Sequence, residues 1–253
     1  MPTFQASDGI TLTYSCWGEG PLVVLHHGFI ANTRTNWVLP GIVEALVDAG
    51  RRVVAIDARG HGESEKPHDP ARYGESRMAE DVMALVDLLD ERAGYDLVGY
   101  SMGAIVALIV ATRDSRVRSV VAAGVGSAVV ELGGVDTRAV GRNGIRDALL
   151  ADDPASLSPA GMGFRAFVDA VGGDRVALAA QAAALHATPI PLDTIAIPAL
   201  VLVGRDDHLA TRPEVLADAI RGAALQVVPG DHLGAVREPD FLHALTGFLK
   251  QVG

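Results

Sequence analysis

Cysteine is nearly absent from this 253-residue chain, with Cys16 the only one. No internal disulfide can form, which fits a reducing compartment. With no partner, Cys16 reads as an inert, partly buried residue. Basic residues are also in deficit. Lys and Arg number 21 against 31 Asp and Glu, giving a formal net charge of −10. Phosphate-rich partners need clustered cations, so the balance argues against nucleic acid or an anionic membrane and leaves a small molecule as the partner. Long apolar runs are missing too. The longest notable uncharged stretch, residues 97–112, contains Gly99, Ser101 and Gly103. It also falls short of the ~20 residues that a spanning helix needs. The opening residues Met1-Pro2-Thr3-Phe4-Gln5 have neither the basic nor the apolar character of a secretion signal, so a cytoplasmic protein is expected. Neither a His-Glu-x-x-His spacing nor a Gly-rich dinucleotide fingerprint after the first parallel strand is present, and no metal and no cofactor are expected. The composition carries no signal for oligomeric state.

What is present is alternation. Short apolar, β-branched runs at 22–25, 52–57, 97–98, 117–125, 199–203 and 225–228 are separated by stretches with helical spacing at 37–49, 78–89, 104–110 and 241–249. In 78–89 the stripe is Met78, Val82, Leu85, Val86 and Leu89. Fully apolar strands alternating with helices imply a parallel sheet covered on both faces. Residues 3–5 and 11–14, around Asp8-Gly9, read as an antiparallel hairpin at its edge. From 127 to 191 no convincing strand appears. That stretch reads as a mostly helical insertion, with an Ala-rich helix at 176–187, placed over the carboxyl ends of the strands where open α/β sheets bind ligands.

The motif that carries chemistry is Gly99-Tyr100-Ser101-Met102-Gly103, with Leu97-Val98 before it and an apolar run from Ala104 to Val110 after it. Strand, sharp turn and helix put a serine hydroxyl at the head of a helix, with the Met102 N–H facing whatever the serine attacks. The plain alternative is a helix N-cap. A serine needs a base, and the base needs an orienting acid. Of eight histidines, His232 is best placed, in Pro229-Gly230-Asp231-His232-Leu233 between the last strand and the last helix. Asp206 and Asp207 follow the preceding strand, and only one of them can face the imidazole. A second oxyanion donor belongs after the first parallel strand, where His26-His27-Gly28-Phe29 offers the Phe29 N–H. His61, in a Gly-flanked turn, reads as a turn-stabilising residue.

His27-Gly28-Phe29, the segment from Asp57 to Ser64, the serine motif, Gly204-Arg205-Asp206-Asp207 and the late His232 together resemble the α/β-hydrolase superfamily. The resemblance covers nearly the whole chain outside the insertion. It implies a mostly parallel eight-stranded sheet with helices on both faces, a core of residues 1–126 and 192–253, and a small helical cap at 127–191. It implies a triad of Ser101, Asp207 and His232, an oxyanion hole from Phe29 and Met102, and a structural role for 57–64. There are two departures. Ala104 stands where many relatives carry glycine, and Ile30 stands where epoxide hydrolases and dehalogenases carry proline. Those enzymes also use an Asp nucleophile. The expected activity is hydrolysis of a carboxylic ester or lactone of a small, largely apolar substrate. Carbon–carbon bond hydrolases, enol-lactonases and perhydrolases share these motifs, and some members of the fold bind a ligand without turnover. Arg138, Arg142 and Arg146, four residues apart, are expected on one helix face, either docking an anionic substrate group or pairing with Asp136 and Asp147.

Overall fold

The strands are those of one sheet with a core on each face, and their apolar runs are buried except at 225–228, where the strand lies at the sheet edge and Leu225 and Val227 are exposed. The computed structural model describes residues 1–138 and 143–252. The eight strands are β1 (Thr3–Gln5), β2 (Thr11–Trp17), β3 (Leu22–His26), β4 (Arg52–Asp57), β5 (Tyr95–Tyr100), β6 (Val117–Ala123), β7 (Ala199–Gly204) and β8 (Ala224–Val228). Their spatial order is β1-β2-β4-β3-β5-β6-β7-β8. The first two pairings are antiparallel and the rest parallel. The edge hairpin and the parallel body are therefore both present.

Alternate residues of each strand serve opposite layers. Val24, Val54, Leu97, Ala122 and Val201 face one core, which packs against α2 (Glu75–Leu88), α3 (Met102–Ala111) and α8 (Pro213–Ala219). Val23, Leu25, Val53, Val98, Val121 and Leu202 face the other, which packs against α1 (Ile42–Asp48) and α9 (Pro239–Val252). Helix α3 is buried all round from Met102 to Val110, which explains a sequence without a polar face.

Three expectations change. The helix at 37–49 is two pieces, a π-helical turn at Arg34–Val38 and then α1. Pro40 and Gly41 interrupt it, Gly41 at φ 80°, where a continuing helix is excluded. The Ala-rich helix α7 is Arg175–Ala183 and stops short of 187. Cys16 is exposed, not partly buried, because β2 lies near the sheet edge and turns that side chain outward.

Between β6 and β7 the described residues form helices α4 (Ala128–Leu132), α5 (Gly144–Leu150), α6 (Pro159–Val171) and α7 and no strand. A small apolar cluster of Leu149, Val168, Leu178 and Ala179 also contains Ile30, with Phe29 packed against it. The insertion thus rests on the loop that follows β3. No helix among the described residues is long and apolar enough to cross a membrane.

Candidate active site

Ser101 joins β5 to α3 at φ 53°, ψ −115°, a backbone region that an L-residue occupies only under constraint. Two glycines make the turn possible by close approach. A Cβ on Gly99 would strike the Gly103 carbonyl, and one on Gly103 would strike the His26 carbonyl of the neighbouring strand. The Ser101 N–H donates to the Ala123 carbonyl at 2.8 Å, so β6 holds the far side of the turn. The hydroxyl is left half-exposed at the carboxyl end of the sheet.

His232 arrives from the loop between β8 and α9. Asp231 shapes that loop by accepting the N–H groups of Leu233 and Gly234 at 3.1 and 2.7 Å. The Tyr100 hydroxyl donates to the His232 carbonyl at 2.7 Å. His232 Nε2 then lies 3.0 Å from Ser101 Oγ, and Nδ1 lies 2.8 Å from Asp207 Oδ2. The other carboxylate oxygen of Asp207 accepts the N–H groups of Leu209 and Ala210, so the acid is fixed before it meets the histidine. Asp206 is exposed and has no side-chain bond to the imidazole among the described residues. Glu131 is engaged by Arg138 and Arg212. A hydroxyl, imidazole and carboxylate in series can pass the serine proton to the imidazole and stabilise the resulting cation.

Phe29 and Met102 both line the cleft beside Ser101, and neither backbone N–H donates to a described residue. The loop carrying Phe29 is held by Asn36, whose Oδ1 accepts the Gly28 N–H at 2.9 Å. Ile30 follows at φ 69°. Proline cannot adopt that angle, which gives the Ile30 departure a physical reason. Sequence reading passed over both Asn36 and Tyr100. Their partners lie 8 and 132 residues away, and no periodic pattern links them.

The segment from Asp57 to Ser64 supports the site from behind. Asp57 accepts the N–H groups of Thr33 and Glu63, and Arg59 is paired with Asp81 and Asp8. His27 accepts the Ala58 N–H at Nε2 and bonds the Gly28 carbonyl through Nδ1, which must carry its proton. Burial lowers the pKa of His27, and it pushes His26 and His61 down to about 3. All three imidazoles are therefore neutral packing groups at ordinary pH. His61 Nδ1 bonds the Arg59 carbonyl within its turn.

A cleft of about 510 Å³ opens over Ser101, lined among others by Phe29, Val125, Ile145, Phe164, Phe167 and Leu209. Its apolar walls come from both the sheet loops and the insertion. Arg138 lies in a turn, while Arg146 lies in α5, which begins at Gly144, so these two do not share a helix face. Arg138 is paired with Asp136 and Glu131. Arg146 is exposed, and Arg142 lies outside the described residues. Among the described residues no cluster of His, Cys, Asp or Glu could hold a metal ion.

Comparison with known proteins shows similarity in fold and in part of the sequence. The family model for the alpha/beta hydrolase fold matches residues 21–139. A non-heme chloroperoxidase of Kitasatospora aureofaciens is 39% identical over 103 residues, covering 41% of this chain and 35% of that protein. The match thus spans about a third of the length of that relative. A hydrolase of Pseudomonas aeruginosa superposes with a TM-score of 0.80 at 29% identity, over 98% of this chain and 97% of its own. The enol-lactonase of Burkholderia xenovorans superposes at 0.76 and 25% identity, over 98% and 100%.

Proposed function

The chain belongs to the alpha/beta hydrolase fold superfamily, and on that premise we propose that it hydrolyses a carboxylic ester or lactone through an acyl-enzyme on Ser101. The observation that carries the reading is the unbroken series Ser101 Oγ, His232, Asp207, with contacts of 3.0 and 2.8 Å. Ser101 Oγ attacks the carbonyl carbon as its proton passes to His232 Nε2. Asp207 accepts the Nδ1 hydrogen, holds the tautomer and stabilises the imidazolium. The Phe29 and Met102 N–H groups take the oxyanion. Collapse expels the leaving alkoxide, which receives the proton from His232. Water then attacks the acyl group by the same route and frees the acid and Ser101.

The helices between β6 and β7 act as a cap, and their apolar residues favour an apolar arm on the substrate. A lactone is the second form of this reading, favoured by the whole-length similarity to the enol-lactonase. There the tethered alkoxide stays on the same molecule as the acyl group. Epoxide chemistry is disfavoured by the residue at the turn, since a serine stands there.

The test is steady-state hydrolysis of para-nitrophenyl butyrate and of a small enol-lactone. Ser101→Ala and Asp207→Asn are each expected to lower kcat by about 10⁴-fold, with folding unchanged by circular dichroism. Full turnover by a folded Ser101→Ala protein would contradict the assignment.

A further inference from the structure

The apolar cleft accounts for one side of Ser101. Ser101 and His232 also border a second cleft, of about 420 Å³, which Met102 does not border. Its walls come from the loop Gly28 to Asn36 after β3, the loop His232 to Arg237 after β8 and the turn at Tyr100, with Phe167 and Val171 of α6 adding an apolar side. No Asp or Glu is among the described residues that line it, and its polar side chains include two donors.

The first donor is Asn36. This residue is 5% exposed, and its Oδ1 is committed to the Gly28 N–H. Only the oxygen can accept that bond, so the orientation of the amide is settled and Nδ2 points the other way. Nδ2 donates to no described residue, yet it is not among the sealed, unpartnered polar atoms of the interior. Its open side is the cleft that Asn36 lines. The second donor is Arg237, an exposed residue that lines the cleft and whose side chain pairs with no described residue. Arg138 and Arg212, by contrast, are each paired with Glu131. In a chain of net charge −10, a cation and a buried amide donor facing a cleft with no acid, beside the reacting serine, match a ligand group rich in acceptor oxygens.

We propose that the second cleft is a subsite for a carboxylate-bearing arm of the substrate, held by Asn36 Nδ2 and Arg237, while the apolar cleft takes the other arm. The substrate class is then an ester with one apolar arm and one anionic arm, either an ester of a hydroxy acid or a half-ester of a dicarboxylic acid. This inference rests on the reading of Ser101 as the nucleophile. It adds no covalent step to that reading, since the carboxylate is bound and not transformed.

The experiment compares two matched pairs of esters. In the first, meta-butyryloxybenzoate against meta-butyryloxybenzamide, the charge is on the alcohol arm. In the second, mono(para-nitrophenyl) succinate against para-nitrophenyl butyrate, it is on the acyl arm. The readout is the ratio of kcat/KM, anionic over neutral. A charge-assisted contact at a partly open site predicts a ratio about tenfold above one in at least one pair. The pair that shows it assigns the arm. Arg237→Ala is expected to bring that ratio to one or below. Asn36→Asp keeps an oxygen for the Gly28 N–H but replaces the donor with a negative acceptor, and is expected to invert the ratio. Arg92→Ala, at the opposite end of the sheet, is expected to keep it. Ratios at or below one in both pairs, or a ratio untouched by Arg237→Ala, would overturn the subsite while leaving Ser101-dependent turnover of the neutral esters intact. Absence of Ser101-dependent turnover with all four esters would instead overturn the parent reading. Calorimetric binding of meta-hydroxybenzoate against meta-hydroxybenzamide then decides the subsite independently of chemistry. About tenfold tighter binding of the acid that disappears in Arg237→Ala supports it, and equal binding overturns it.

Discussion

Gly103 shows how little room the candidate nucleophile turn has. Its α-carbon sits against the carbonyls of His26 and His27, so the turn and β3 are in direct backbone contact and any side chain must push them apart. Gly103→Val is therefore expected to abolish hydrolysis and to lower the thermal midpoint by about 4–8 °C, the shift expected for ~2 kcal/mol in a domain of this size. Differential scanning fluorimetry checks it. Glu75 is a different kind of constrained residue. It is buried at the start of α2 with its Oε2 accepting the His186 N–H at 2.7 Å, and it faces Gln181 of α7. Burial pushes its carboxyl up to about 7 from 4.5, against the lowering effect of the backbone bonds. The folded protein thus holds this proton more tightly than the unfolded chain. The resulting stability is fully present below about pH 4.5 and is lost as pH rises through 7. Glu75→Gln removes the titration, and is expected to flatten this pH slope and to gain about 3 kcal/mol over the wild type at pH 8 relative to pH 5. Urea unfolding of both proteins at the two pH values measures it, and parallel changes in the two would contradict it.

At the scale of elements, the loop after β3 carries the most consequence for its length. Asn36, in the π-helical turn, holds Gly28, Ile30 crosses the left-handed region, and the insertion's apolar cluster closes over Ile30 and Phe29. Proline, the residue that a subset of relatives places here, would force φ to about −65° and redirect the Phe29 N–H. Ile30→Pro is expected to lower kcat by about 10²- to 10³-fold, the usual consequence of losing one oxyanion donor, with far-UV circular dichroism unchanged. Stopped-assay kinetics beside the spectrum checks both halves. The strands and the turn around Ser101 were legible in the sequence because their signals are local: runs of Val, Leu and Ile with glycines two residues either side of a serine. The expectation that Arg138 and Arg146 share a helix face failed for an equally local reason. Spacing by four is a helical signal only if the chain between can be helical, and Gly141 and Gly144 weaken that stretch. Arg138 instead sits in a turn with Asp136. The same holds at Pro40-Gly41, where apolar spacing continued across a break that the two residues impose.

For the whole molecule, the sheet order brings together what the sequence keeps far apart. Ser101 after β5, Asp207 after β7 and His232 after β8 are ends of parallel strands, so all three emerge at one edge of the sheet; chain order pointed to Ser101, His232 and the Asp206–Asp207 pair, and the resemblance singled out Asp207. The Asn36–Arg237 cleft had no such signal, because it depends on where two loops meet. Net charge is a molecular property as well: the acidic surface disfavours polyanions at long range, while the second cleft presents a local cation to a small anion. The reading of the site comes down to whether Ser101 is activated. The most direct measurement is labelling of the purified protein with a fluorophosphonate, followed by intact mass spectrometry, with Ser101→Ala in parallel. The account predicts one adduct per chain in the wild type, located at Ser101, and none in the variant. Folded wild-type protein that takes up no label, or a variant that labels equally, would contradict it.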